Sequence, residues 1–453
     1  MRRFYLAAAL SAACCLPSAA LADRPNVLLV VSDDQGYGDV GGRGETNVDT
    51  PVINAIAQNG VRFSQFRVNP LCAPTRASLL SGQYSLECGM WRGPSRDADP
   101  DDPQARRLRD DVKLLPQFLK DAGYATGLFG KWHLGYESPN RPNDRGFDEF
   151  VGFLGGSSRY RKANTLLRNG EPFESDKHLT DLFTDEALAF IQKNRDRPFF
   201  CYVAYNAVHG PLWREEQPRP SGKEEWLRKY AERGIDFPRR DYCAVLNHLD
   251  HSVGRLLESL RALGLEENTL VIYVSDNGAI TDKYPGDNGP LRGAKGSTYE
   301  GGIRVPAVMQ WPGVIPAGTV SDANAVHFDI FSTVLAAAEV AVPERNGSHP
   351  VHGVSLIEHL KSGGKAPLPD RYLFWDLYGR MAALHADWKI VGEGQNHRGR
   401  FAEALPEIKQ TEFELYRLSK DIAETQNVAA EHPEVYRDLK QRYVEWFEGI
   451  ARQ

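Results

Sequence analysis

The sequence predicts an α/β fold: a large mixed, mostly parallel sheet flanked by helices, followed by a smaller α+β C-terminal domain. Three observations carry this. Continuous apolar, β-branched runs at 26–32, 124–129, 198–205 and 269–275 read as strands buried on both faces, which parallel sheets require. Segments with helical apolar spacing lie between these runs, giving strand–helix alternation. Beyond about residue 368 the pattern changes to short strands and one helix, behind Gly363-Gly364 and Pro367/Pro369.

In order, the first run, N-V-L-L-V-V-S, ends in Asp33-Asp34. Thr50 as N-cap, Pro51 at the first helical position and Gly60 as a stop then bracket a helix with Val52, Ile53, Ile56 and Ala57 on its inner face. The stretch 69–84, N-P-L-C-A-P-T-R-A-S-L-L-S-G-Q-Y, places Cys72 at a helix N-terminus. Pro74 suits a first turn, Ala77, Leu79 and Leu80 favour helix, and Gly82 ends it. The orphan N–H groups and the dipole there favour a negative group beside Cys72, and Arg76, one turn in, adds a fixed cation.

Residues 92–111, with charges of alternating sign and prolines, read as a surface loop. Leu114, Leu115, Phe118 and Leu119 mark a helix stopped at Gly123, and the next strand runs into G-K-W-H-L-G, carrying Lys131 and His133. A helix over 180–194 has Phe183, Ala187, Phe190 and Ile191 on one face, and the strand after it leads to His209. Residues 213–242 are rich in Arg, Glu and Pro and read as an insertion over the mouth of a site. Val245, Leu249, Val253, Leu256, Leu257 and Leu260 then define a helix over 241–263, capped by Gly264. The strand at 269–275 ends in Asp276-Asn277-Gly278 and echoes the first, which ends in Ser32-Asp33-Asp34. The C-terminal part reads as strands at 372–376, 382–385, 388–391 and 414–418 and a helix at 433–447, so the domains are assigned as 23–366 and 367–453.

Residues 1–22 have the form of a cleaved secretory signal: Arg2 and Arg3, a short apolar run, and small residues at Ala20 and Ala22. No later run is long enough to span a bilayer, so the mature chain is expected to start at Asp23 and to be periplasmic or secreted. Loss of Arg2 and Arg3 takes 54 basic residues to 52 against 60 acidic, a net charge of −8, which argues against nucleic acid as a partner.

Each of the four apolar strands ends in polar residues: Asp33-Asp34, Lys131 and His133, His209, and Asp276-Asn277. Ligands of an open parallel sheet bind beyond the strands' carboxyl ends, so this pattern gathers residues distant in sequence into one crevice. Singly, each has an ordinary reading. An acidic pair caps a turn, a Lys-x-His solvates a loop, and a lone histidine packs. As a set, Asp33, Asp34, Asp276 and Asn277 offer only oxygen, which selects a hard cation, Ca²⁺ or Mg²⁺, over zinc.

With Cys72, Pro74, Thr75, Arg76 and the Ser81-Gly82 step, the chain resembles the formylglycine-dependent (type I) sulfatases, whose signature is C-x-P-[ST]-R. The resemblance extends to 291–306, L-R-G-A-K-G-S-T-Y-E-G-G-I-R-V-P, which carries Lys295. It extends also to Asp329-Ile330-Phe331-Ser332-Thr333, Asp387-Trp388-Lys389 and Glu414-Leu415-Tyr416. It departs from the family pattern at Thr75 (usually Ser), at Ser332 (usually Pro), and at V-H-G-P around His209 (usually P-H-x-P).

The resemblance implies an alkaline-phosphatase-like fold and hydrolysis of a sulfate monoester, aryl or carbohydrate. It implies that Cys72 is oxidised to formylglycine by a formylglycine-generating or anaerobic maturation enzyme, and that one hydroxyl of the hydrated aldehyde attacks sulfur. Asp33, Asp34, Asp276, Asn277 and an oxygen at position 72 would hold Ca²⁺, or less commonly Mg²⁺. Lys131, Lys295 and His209 would bind the sulfate, Arg76 would hold the nucleophile, and His133 would take the proton when the second hydroxyl expels sulfate.

In the mature chain, without Cys14 and Cys15 of the signal, conversion of Cys72 leaves Cys88, Cys201 and Cys243, which allow at most one disulfide, and Cys201 and Cys243 read as buried thiols. The rival readings are a phosphate or phosphonate monoester hydrolase of the same superfamily and a non-catalytic sulfated-glycan-binding protein. Specificity is expected in the loops at 92–111, 157–177 and 213–240.

Overall fold

Strand β1 (Asn26–Ser32) is buried along its whole length: Val27, Leu29 and Val31 face one core, and Leu28 and Val30 face the other. A strand with apolar groups on both sides belongs in the middle of a layered sheet, and that is where it lies. The computed structural model describes residues 24–41, 47–96, 106–163, 165–212 and 221–452, so the expected signal segment lies outside the described residues.

The strands sharing β1's sheet are β2 (Val61–Phe63), β3 (Ala125–Lys131), β4 (Glu149–Phe153), β5 (Leu166–Arg168), β6 (Glu171–Phe173), β7 (Phe199–Ala204), β8 (Thr269–Ser275), β9 (Ala307–Gln310) and β10 (Thr319–Ser321). Their spatial order is β10-β2-β9-β8-β1-β7-β3-β4-β5-β6. The central run from β8 to β4 is parallel, whereas β9 and β5 join it antiparallel. Register aligns the strand ends: Val31 lies opposite both Ala204 and Val274, Ser32 lies opposite Ser275, and Gly130 lies opposite Ala204. The carboxyl ends of β8, β1, β7 and β3 are therefore level, and the polar residues beyond them emerge side by side.

Helices cover both faces. On one side, α1 (Pro51–Gln58), α4 (Leu179–Lys193) and α6 (Arg239–Ala262) bury Ile53, Phe183, Phe190, Val245 and Leu249 against Leu28, Val30, Phe199 and Val203. On the other, α2 (Cys72–Ser81), α3 (Leu115–Asp121) and α7 (Asp329–Ala337) pack on Val27, Leu29, Val31, Tyr202 and Val274.

Several local expectations are corrected. Thr50 precedes α1 but does not cap it: its Oγ1 accepts from Gly41 N–H, and the first turn's N–H groups of Val52 and Ile53 donate instead to Asp250 of α6, at 3.1 and 2.9 Å. β3 continues past residue 129 to Lys131, because it is paired on both sides. The described part of 213–242 is not a loose cover over a mouth. Residues Glu224–Glu232 form α5, whose Leu227 and Tyr230 are buried in the core around α6, and the Tyr230 hydroxyl donates to Asn247.

The C-terminal sheet is antiparallel, β11 (Leu373–Leu377), β12 (Arg380–His385), β13 (Trp388–Glu393) and β14 (Phe413–Arg417). The long helix α9 (Pro433–Ala451) lays Leu439, Tyr443, Phe447 and Ile450 on Met381, Ala383, Ile390 and Leu415. A further helix, α8 (Phe401–Gln410), is not signalled by the sequence, because Pro406 sits inside it.

A buried ionic cluster ties this sheet to the larger domain. Lys389 Nζ of β13 lies 2.9 Å from Glu300 Oε1 and 2.8 Å from Glu424 Oε1, and Arg67 Nη2 lies 2.8 Å from Glu300 Oε2. Burial opposes the ionised form of Glu300, but Arg67 and Lys389 outweigh it and hold the carboxyl below its ordinary range. Burial pushes Glu424 up. Because Glu300's folded value is depressed, its contribution is present above the unfolded value of about 4.3 and is lost as pH falls through the folded value. Lys389→Met would leave two carboxylates buried with one cation fewer, and is expected to cost roughly 3–5 kcal/mol in denaturant unfolding at pH 7. A loss below about 1 kcal/mol would show that the cluster does not hold the two domains together.

Candidate active site

Cys72 is the first residue of α2, and every residue of that helix is buried. Pro74 is its third residue, where a missing N–H leaves no intrahelical bond unmade. The Thr75 hydroxyl donates to Asn69 O at 3.2 Å, a bond that serine would make equally. Gly82 ends the helix at φ 77°, and a Cβ there would lie 2.6 Å from the Phe331 ring.

All the candidate residues converge on this helix end. Arg76 donates through Nε and Nη2 to Asp276 Oδ2 (3.0 and 2.8 Å) and through Nη1 to Lys131 O (3.1 Å), which fastens α2 to the ends of β8 and β3. Lys131 Nζ lies 2.6 Å from Asp33 Oδ2, and Lys295 Nζ lies 2.5 Å from Asp34 Oδ1. Asn277 Nδ2 also donates to Asp34 Oδ1, at 2.7 Å. His133 Nδ1 is 3.4 Å from Cys72 Sγ. His209 Nε2 stands 3.7 Å from Asp34 Oδ2, with its Nδ1 2.6 Å from Gly210 O. Two of these residues, Asp34 and His133, have left-handed backbones at φ 62°, a strain that surrounding bonds must hold.

Asp33 Oδ1, Asp34 Oδ2 and Asn277 Oδ1 are buried and have no hydrogen-bond partner among the described residues. Each orphaned acceptor costs about 1–3 kcal/mol in desolvation. Each of the two aspartates gives one oxygen to a lysine and leaves the other bare, and the three bare acceptors are all oxygens. Ligand atoms of Asp33, Cys72 and Asp276, and of Asp33, Asp34 and His209, lie within 4.8 Å of one another. This arrangement fits a hard cation.

Charge sets the protonation states. Burial opposes ionisation of Asp34, but Lys295 and His209 outweigh it and hold the carboxyl below its ordinary value. Burial, then the neighbouring Asp33, pushes Asp276 up against the pull of Arg76. Burial pushes His133 well down, helped by Lys131 and Arg76, so its imidazole is neutral. Burial raises the Cys72 thiol.

Above Cys72 opens a cleft of about 340 Å³, lined by His133, His209, Lys295, Arg92 and Ser157. Of the three expected specificity loops, those beginning at 92 and 157 contribute to this lining and the described part of 213–240 does not. The glycine-rich segment 291–306 packs backbone on backbone. Lys295 N–H donates to Ala279 O, Gly296 N–H donates to Pro70 O, and a Cβ at Gly278 would lie 1.9 Å from Gly301 O.

Two positioning residues escape sequence reasoning. Gln35 N–H donates to Ser275 Oγ at 3.0 Å, and Ser275 Oγ in turn donates to Asn277 O, which locks the two acidic loops together. The echo of Val31-Ser32-Asp33 in Val274-Ser275-Asp276 marks Ser275, but nothing in the sequence marks Gln35.

A family model described as Sulfatase matches residues 25–340. The chain belongs to the sulfatase family. It is a sulfuric ester hydrolase. A second model, described as the C-terminal part of N-sulphoglucosamine sulphohydrolase, matches residues 294–448 of this sulfatase. Among relatives, N-acetylgalactosamine-6-sulfatase of Canis lupus familiaris is 35% identical over 422 residues, covering 87% of this chain and 76% of its own. The Homo sapiens protein of the same name is 34% identical, with 78% and 68% covered. The structure of Ps i-CgsB in complex with k-i-k-neocarrahexaose matches with a TM-score of 0.81 at 29% identity, covering 94% and 93% of the two chains. No helix among the described residues is long and apolar enough to cross a membrane.

Cys72, Cys88, Cys201 and Cys243 are all free and buried. Burial pushes the thiols of Cys88 and Cys243 up to about 12 and raises that of Cys201 as well. Alkylation of the native sulfatase at pH 8 should therefore leave all three unlabelled. After unfolding, mass analysis should find them labelled, with Cys72 as a fourth only where it is still a cysteine. Native labelling of any of the three, or a disulfide mass, would contradict this burial.

Proposed function

We propose that the enzyme cleaves carbohydrate sulfate monoesters with a formylglycine made from Cys72 as nucleophile, and that Asp33, Asp34, Asp276 and Asn277 hold Ca²⁺ beside it. The observation that carries this is the meeting of Cys72 with three buried carboxylates, each bonded to its own cation, while two of those carboxylates keep a bare oxygen. The relatives named for N-acetylgalactosamine-6-sulfate and the neighbour bound to a carrageenan oligosaccharide support a carbohydrate ester over a simple aryl one. Residues 1–22 are read as a signal for export to the periplasm or beyond, with a maturation enzyme acting on Cys72. The chain is divided at about residue 366 between the catalytic and C-terminal domains.

Bound calcium would supply Lewis-acid polarisation of a sulfate oxygen and of the nucleophile at position 72. The formylglycine hydrate would supply two hydroxyls on one carbon, one to attack sulfur and one to expel the sulfate afterwards. In the structure, Cys72 Sγ stands where those oxygens would be.

This chain's own residues do the rest. Lys131 and Lys295 would bind the sulfate oxygens, and both are already held by their aspartates, so little reorganisation would be needed as charge develops. Arg76, clamped by Asp276, keeps a fixed positive charge beside position 72 and favours an ionised oxygen there. Neutral His133, with Nδ1 3.4 Å from the position-72 side chain, is placed to accept a hydroxyl proton. His209 brings Nε2 to the partly exposed side of the cleft, where it would bind a sulfate oxygen.

The decisive measurement is steady-state hydrolysis of sulfate esters by protein made with and without a formylglycine-generating system. Converted enzyme should turn over, whereas unconverted protein and Cys72→Ala should fall at least about 10³-fold in kcat, or roughly 4 kcal/mol of transition-state stabilisation. Cys72→Ser should stop after one turnover, because a serine sulfate has no second hydroxyl. Full-rate turnover by unconverted protein would show that position 72 is not the nucleophile.

Calcium binding is tested without activity. Ca²⁺ at 100 times its Kd should stabilise the fold by about 2.7 kcal/mol, seen as a rise in Tm that a chelator reverses. Asp33→Asn and Asn277→Ala should each remove most of that rise. An unchanged Tm at millimolar Ca²⁺ would refute the site.

A further inference from the structure

We propose that Arg92, oriented by Tyr378 of the C-terminal domain, binds a second anionic group of the substrate, a sulfate or carboxylate on the sugar that carries the scissile ester or on its neighbour. This rests on the reading of the cleft over Cys72 as a sulfate-ester site. The cations deeper in that cleft are already committed: Lys131 to Asp33, Lys295 to Asp34 and Arg76 to Asp276. Arg92 lines the same cleft, is exposed, and forms no ion pair with a carboxylate among the described residues. The backbone next to it runs close to the site, since a Cβ at Gly93 would lie 3.1 Å from His133 Nε2.

An aromatic ring holds the Arg92 guanidinium, which sits 5.4 Å from the centre of the Tyr378 ring. Trp91 meets Tyr378 edge-on, with centroids 5.8 Å apart at 90°, and Arg106 lies over Trp91 at 5.5 Å while donating to Gly93 O at 2.8 Å. A ring fixes the direction of a guanidinium without neutralising it, as a carboxylate would. In a chain with 60 acidic and 54 basic residues, a second arginine in this ladder, Arg106, likewise lacks a carboxylate partner among the described residues. The Arg92 fork, without a carboxylate partner among the described residues, matches the planar or tetrahedral oxyanions it would meet.

Tyr378 is built for this position. It occupies the tip between β11 and β12 at φ 61°, beside Gly379 at φ 92°, where tyrosine is strained and asparagine or glycine is usual. Arg380 Nη1 donates to Gly296 O at 2.6 Å, the residue after Lys295, so the tip is pinned to the loop that carries a sulfate-binding lysine. The Tyr378 hydroxyl is buried without a partner. It is therefore the ring that serves, and Tyr378 is a positioning residue.

The test uses the converted, Ca²⁺-supplied full chain. kcat/KM is measured for a monosulfated, otherwise neutral disaccharide, for the same disaccharide with a second sulfate, and for one with a uronic carboxylate. The quantity read is the ratio of the dianionic to the monoanionic substrate. The wild type should favour a dianionic substrate at least tenfold at low salt, and the preference should shrink as salt rises. Arg92→Ala should cut the ratio at least tenfold, Arg92→Lys partially, and Tyr378→Ala severalfold, while Tyr378→Phe should keep it. Preference for only one of the two anions would identify which one is bound. A ratio unchanged in Arg92→Ala, or an equal fall for all substrates, would overturn the proposal while leaving the sulfatase chemistry standing. Failure of converted enzyme to cleave any sulfate ester would overturn the catalytic reading beneath it.

Discussion

Three carboxylates, Asp33, Asp34 and Asp276, sit almost without exposed surface at the ends of two adjacent strands, and the surrounding structure exists to make that tolerable. An unpaired buried carboxylate costs several kcal/mol even after relaxation. Here each has its own cation, and the three cations come from three different places: Arg76 from α2, Lys131 from the end of β3, and Lys295 from the glycine-rich segment. Helix placement, sheet register and loop packing are thus coupled through charge. A shift of β3 by one residue would withdraw Lys131 from Asp33, and a looser α2 would withdraw Arg76 from Asp276.

The same pairing prepares the chemistry. A lysine bonded to an aspartate is held in place before any substrate arrives, so a site built on Lys131 and Lys295 would need little reorganisation as charge develops. The aspartates in turn are only half used, and the bare oxygens of Asp33, Asp34 and Asn277 are a folding penalty that pairing within the chain does not relieve. A polypeptide keeps such a penalty where function requires it, and the left-handed backbones of Asp34 and His133 belong to the same pattern.

Much of this was legible in the sequence because burial on both faces leaves an unmistakable run of apolar residues, and because each such run ended in charge. The strands β1, β7 and β8 and the polar residues beyond them followed from that, whereas Cys72, Arg76 and Lys295 were marked by the motifs at 69–84 and 291–306, and the structure brings all of them to one place. The hidden features depend on partners far along the chain. Thr50 has every local mark of an N-cap, yet Asp250, about two hundred residues later, takes the N–H groups. The polar segment of α5 reads as a loop until α6 offers a surface for Leu227 and Tyr230. The strands β2, β9 and β10 are too short to declare themselves, and which cation meets which aspartate is a matter of register alone.

The division of labour between the domains has the same physical origin. The larger domain supplies every group assigned to bond-breaking, and its charges are balanced internally. The C-terminal sheet contributes no such group, yet it is locked in place by buried charge of its own: Lys389 reaches Glu300, which lies in the segment that carries Lys295 and also takes Arg67 from the large domain. Through that lock, and through Arg380 on Gly296, the β11–β12 tip is held beside Arg92 at the cleft's edge. A domain held this rigidly beside an internally balanced set of charges can vary its hairpin tip without disturbing the chemistry. On the proposal that Arg92 binds a second anion, substrate choice would change at Tyr378 and Arg92 while Asp33, Asp34 and Asp276 remain bound to their cations.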